Sequence, residues 1–177
     1  MPTLRRMTRT ATQPAPPDCP TSRPTGPDQA AWAARLLAAN INPRTGLATD
    51  YLNHFNEAIM LLEMIPDIPE CAEDFLGWQP LSYAEHFTAS NFRDRDLAIE
   101  AYQIADNGIR TEFDSVTSTM TSILTAVGAA MREVRQDKTR ATLAEQATLW
   151  VKPLVALAGG IVNGGAKADV DTIMAGD

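Results

Sequence analysis

The C-terminal half of this chain carries a hydrophobic repeat regular enough to demand paired helices. From Ile109 the apolar positions are Ile109, Phe113, Val116, Met120, Ile123, Val127, Ala130 and Val134, at steps that alternate four and three. A mean spacing of about 3.5 keeps one stripe facing a neighbouring helix over several heptads. After a polar link at Gln136–Lys138 the pattern resumes at Leu143, Ala147, Trp150, Leu154, Leu157 and Ile161. Two such stripes joined by a short link predict an antiparallel helical hairpin, with helices over about 109–135 and 139–160. Ile123 then lies mid-seam. Pro153 interrupts the second stripe and should kink it, and the glycines of Gly159-Gly160 and Asn163-Gly164-Gly165 should let its end fray.

Upstream, proline and glycine divide the chain into shorter helices. Pro27 and Asp28 open an Ala/Leu-rich segment ending in the turn Asn40–Gly46. A second helix follows from Thr45 or Thr49 to about Ile65, with Tyr51, Leu52, Phe55, Ala58, Ile59 and Leu62 on one face. Pro66 and Pro69 end it. A short third helix spans about 70–78, and Pro80 breaks again. Ser82 and Glu85 form a Ser-x-x-Glu capping box for a fourth helix reaching about Ala105, with a weak point near Ser90–Asn91. The expected fold is all-α: a bundle of five to six helices, one domain over 27–162, ending in the long hairpin.

The segments outside that domain read as tails. Residues 1–26 hold six of the twelve prolines and few apolar side chains, a composition that cannot offset chain entropy by burial. Residues 163–177 read as a flexible C-terminal tail. The chain carries −7 overall. Residues 1–26 carry Arg5, Arg6, Arg9 and Arg23 against Asp18, or +3, so the remaining residues carry −10. An acidic body repels phosphate, which argues against nucleic acid as a partner, and no apolar run is long enough to cross a membrane. Cys19 and Cys71 are isolated, fitting a reducing, cytoplasmic setting. The arginine- and threonine-rich start also has the composition of a mitochondrial transit peptide, which leaves that address open.

Residues with chemical potential are few. His54 and His86 are the only histidines. Asp50, His54 and Glu57 stand at i, i+4 and i+7, along one helical stripe, and could supply part of a metal site. Carboxylate-bridged di-iron bundles use Glu-x-x-His. Here the order is His-x-x-Glu, and Tyr83 stands where an acid should precede His86. Neither histidine has a cation within a turn on its own helix to favour a phosphoryl group. Cys71 lies beside Glu70 and near Glu73, which disfavour a thiolate. The glycines near the end lack the Lys-Ser/Thr of a phosphate loop. No catalytic set and no cofactor site emerges.

Two features point instead to binding. Phe75, Trp78, Tyr83, Phe87 and Phe92, five of the eleven Phe, Trp and Tyr residues, crowd into one short window with His86. They could fill a core, anchor an interface or line a ligand pocket. Met60 and Met64 fall on the side of the second helix opposite Phe55 and Leu62, as on adaptable contact surfaces. The expected function is a non-enzymatic interaction or regulatory protein acting through a partner protein or a homo-oligomer. Its interface candidates are Met60, Met64, Trp78, Tyr83, His86 and Phe87. The alternative is a metal- or small-molecule-binding protein using His54 and His86.

Overall fold

A computed structural model of the chain describes residues 27–165. The expectations for residues 1–26 and 166–177 lie outside the described residues. The elements are α1 (Pro27–Ala38), a 3-10 turn (Thr49–Tyr51), α2 (Leu52–Met64), α3 (Cys71–Gly77), α4 (Tyr83–Ala89), α5 (Arg95–Gln103), α6 (Asn107–Glu133) and α7 (Asp137–Val162). Among the described residues there is no β-strand, only one bridge between Ile41 and Ala48.

The helix ends follow local chemistry. α1 closes on Asn40, whose φ of +57° lets the Asn40 N–H reach Leu37 O and the Ile41 N–H reach Leu36 O. Gly164, at φ +70°, closes α7 the same way, with bonds from Gly164 N–H to Ile161 O and Gly165 N–H to Gly160 O. This is the double bond of a Schellman motif. α7 thus runs unbroken through Pro153 and Gly159-Gly160 to Val162, and Asn163–Gly165 form its cap. The capping box is present: the Glu85 N–H donates to Ser82 Oγ and the Ser82 N–H to Glu85 Oε2. Asp106 accepts from the N–H groups of Gly108 and Ile109 and caps α6.

The segment expected as one helix from Ser82 is two, α4 and α5. Ser90 accounts for the break: its hydroxyl donates to Phe87 O and accepts from the Phe92 N–H, replacing helical bonds. At Gly46 (φ +74°) a Cβ would come within 2.7 Å of Ala101 O, so only glycine lets the α1–α2 loop lie against α5.

α6 and α7 pack along their lengths, α7 also packs on α2, and α3 covers both α2 and α6. That third contact rotates the seam. The buried stripe of α6 is Phe113, Thr117, Met120, Leu124, Val127 and Met131, while Val116, Ile123, Ala130 and Val134 are half-buried. In α7 the buried residues are Ala144, Ala147, Val151, Leu157, Ala158, Ile161 and Val162; Leu143 and Leu154 are half-buried and Trp150 is 56% exposed. Several positions of the heptad reading, Trp150 above all, therefore border the hairpin rather than fill it. A helix with several neighbours buries the face pointing between them, about one residue round from the face toward a single partner. Alanines fill the tight centre.

Candidate functional site

The 3-10 turn and α2 present Asp50, Tyr51 and His54, and α4 brings Tyr83, His86 and Phe87 against them. Between α3 and α4 a strap of extended chain, Trp78–Ser82, crosses this cluster. His54 holds the strap. Its Nε2 accepts from the Leu81 N–H at 3.2 Å, its ring hydrogen-bonds the Gln79 backbone, and its own carbonyl accepts from Trp78 Nε1 at 3.1 Å. The Trp78 ring stacks on the imidazole at 4.7 Å. The Tyr51 hydroxyl donates to Leu81 O at 2.7 Å.

These contacts decide the state of His54. It is only 7% exposed. Burial first, then the neighbouring His86, push its pKa down to about 4, against the Gln79 bond, which raises it. A neutral ring that accepts at Nε2 carries its proton on Nδ1, so neither nitrogen has a lone pair to offer an ion. His86, half-buried, meets Asp50 instead, Nε2 to Oδ2 at 3.2 Å. Glu57 is exposed. The stripe of Asp50, His54 and Glu57 does not converge, and among the described residues no three His, Cys, Asp or Glu side chains are placed to hold a metal ion. Sequence spacing could set the three on one stripe; the strap that occupies His54 comes from a distant part of the chain.

The aromatic window divides. Phe75 and Phe87 are core, 2% and 0% exposed. Phe87 packs edge-on to Phe92 at 5.1 Å and against Tyr83 at 4.8 Å. Tyr83, 4% exposed, stacks on Tyr102 at 4.5 Å, and its hydroxyl accepts from the Ala48 N–H at 2.9 Å. Burial raises its phenol well above the ordinary value. Phe87 offers no surface to a partner, and Tyr83 reaches only the wall of a cleft. Trp78 is half-buried against His54.

Comparison of the chain with protein-family models, with curated proteins and with solved structures finds no match. The site must be read from its own geometry.

Met60 and Met64 are on the surface, 53% and 37% exposed. Between them in sequence, Glu63 pairs with Lys152 of α7. Glu63 ties this part of α2 to α7, where Leu149 is 66% exposed. Leu149, Pro153, Ala156 and Gly160 stand at i, i+4, i+7 and i+11, one line along the helix, and all are exposed. Trp150 is two residues from Lys152, hence on the opposite flank of α7. Between Lys152 and Lys167 the sequence holds no charge. Heptad spacing assigns Trp150 to the seam and so hides the line from Leu149 to Gly160 as a surface. The uncharged run was the available signal. No helix among the described residues is long and apolar enough to cross a membrane.

Proposed function

We propose that the protein is an interaction module that self-associates, the outer face of α7 packing against the same face of a second copy. One observation carries this reading. α7 is apolar on every side from Pro153 to Ile161, yet in a single chain the line Leu149, Pro153, Ala156 and Gly160 is solvent-facing, with Trp150 beside it. A helix without a polar face belongs in an interior. Pairing about a two-fold axis gives it one, since a two-fold contact buries the same patch on both partners. Ala156 and Gly160 let a facing helix approach closely, and Trp150 and Leu149 supply the bulk that anchors an interface.

The size of the patch sets the affinity class. Leu149 to Gly160 spans about 17 Å of helix, and with Met60 and Met64 on one flank and Trp150 on the other the width is about 20 Å, or roughly 350 Å² per chain. Apolar patches of that extent on single chains are often functional. Contacts of this size sit in the transient range rather than among permanent dimers. The function is thus reversible assembly, driven by concentration.

Sedimentation equilibrium from about 1 μM to about 1 mM tests this. The weight-average mass should rise from the 19.2 kDa of one chain toward twice that value. Leu149→Lys should abolish the rise without lowering the thermal midpoint, because the residue is 66% exposed. A chain that stays monomeric throughout, or a dimer indifferent to Leu149→Lys, would refute the reading.

A further inference from the structure

α4, α5 and α6 meet the strap around a second feature, separate from the α7 face. A cleft of about 330 Å³ opens there, lined by Ser82, Tyr83, Tyr102, Asp114, Ser118 and Thr121 among others. Its walls combine hydroxyls, the Asp114 carboxylate and the apolar side chains of Pro80 and Leu81. Asp114 Oδ1 accepts from the Tyr102 hydroxyl at 2.6 Å. Among the described residues no cation pairs with Asp114. Arg110, one turn earlier on α6, lies over the Tyr102 ring at 5.8 Å, but its guanidinium donates to Gln103 O and Asn107 Oδ1. A half-buried carboxylate thus faces the cleft with one neutral donor to balance its charge.

Three of the eight hydroxyls of α6 are spent within the helix. Thr117, Thr119 and Ser122 donate to carbonyls three or four residues back, the usual way a helix satisfies such groups. Ser118 and Thr121 line the cleft and make no such bond. They stand four and seven residues after Asp114, so all three share one stripe. Tyr51 at the cleft wall has its phenol pushed up to about 12, by burial first and then by Asp114 and Glu85.

We propose that this cleft is a binding site for a small hydroxylated amine of the size and kind of an amino sugar, its ammonium held by Asp114 and its hydroxyls by Ser118 and Thr121. A charge-assisted bond from an ammonium to a carboxylate with few competing donors is among the stronger polar contacts. The unspent hydroxyls can each donate and accept. The volume suits a single sugar-sized molecule.

Glucosamine and glucose differ at this level by one ammonium for one hydroxyl, so the pair isolates the charge. Isothermal titration of the full chain at physiological salt should give one saturable site for glucosamine and at least about tenfold weaker binding for glucose. Asp114→Asn keeps an oxygen for Tyr102 and should weaken glucosamine by about tenfold or more. Ser118→Lys sits on the exposed side of the helix and folds independently of any ligand. Its ammonium reaches back one turn to Asp114 and should abolish binding. No heat at roughly 10 mM glucosamine, equal binding of glucose, or full binding by Ser118→Lys would each overturn the assignment. Leu149→Lys should bind glucosamine as the natural chain does, so failure of this site and failure of the α7 interface are told apart.

Discussion

α6 and α7 run 27 and 26 residues and meet through apolar side chains, and five of their hydroxyls hydrogen-bond back into their own helix. The five helices before them run 7 to 13 residues, lengths at which an isolated helix is marginal in water. They are tied instead by side chains that reach distant backbone. Tyr83 receives the Ala48 N–H, Tyr51 donates to Leu81 O, His54 receives the Leu81 N–H, and Thr45 donates to Val162 O at the end of α7. One region is specified by a repeat, the other by individual partners. A repeat spreads its stability over many interchangeable contacts; a set of unique bonds concentrates it.

The largest effect expected from that difference is at Phe87. Truncation to Ala should cost roughly 3–5 kcal/mol, because the ring is fully buried among Tyr83, His86 and Phe92. Chemical denaturation measures the cost. Hydrogen exchange sharpens it: amides of α4 and α5 should lose protection while those at the middle of α6 keep theirs. Equal loss in α6 would mean that the two regions unfold as one unit.

Within the hairpin, Leu124→Ala should cost roughly 2–5 kcal/mol, since Leu124 is 1% exposed. Ile123→Ala, at a half-buried neighbour, should cost clearly less. The order of the two decides which stripe is the true seam. If Ile123 were the costlier, the hairpin would face a single partner helix rather than the bundle centre.

This pair also marks how far the sequence could be read. The hairpin, the all-α class and the capping box at Ser82 and Glu85 follow from spacing and local chemistry. The rotation of the seam does not, because it depends on α3 lying against α6, a contact between residues far apart in the chain. Asp50, His54 and Glu57 illustrate the same limit. Their common stripe is a property of one helix, while the strap that occupies His54 and the His86 that meets Asp50 arrive from elsewhere. Met60 and Met64 were legible as exposed because both faces of α2 can be read from α2 alone. The Asp114 cleft draws on four separate segments and left no pattern in any one of them.

His54 gives the next prediction, and its sign can be worked out. The folded pKa of about 4 lies below the ordinary 6.5, so between those values the unfolded chain binds the proton that the folded chain refuses. Stability from the neutral ring is full above about pH 6.5 and is lost as pH falls toward 4. The difference corresponds to roughly 3 kcal/mol. Protonation would also remove the acceptor for the Leu81 N–H and release the strap. Denaturation at stepped pH should therefore show a slope in the natural chain that is absent in His54→Phe. A variant with the same slope would assign the acid sensitivity to carboxylates elsewhere.

The smallest prediction is the cleanest contrast of the two regions, because it uses the same substitution in each. Ser82→Ala removes the oxygen that receives the Glu85 N–H at the start of α4, a helix of 7 residues with no spare turn. Loss of such a cap costs about 1 kcal/mol. Ser122 lies inside α6, exposed, and its hydroxyl only donates to Ser118 O, a carbonyl that the helix already uses. Alanine is the better helix former there, so Ser122→Ala should leave stability unchanged or raise it by a few tenths of a kcal/mol. Opposite signs for one chemical change would show that the short helices depend on named partners and the long ones on their pattern. Two equal losses would mean that α6 is held by polar contacts as α4 is, and the distinction between the regions would fall.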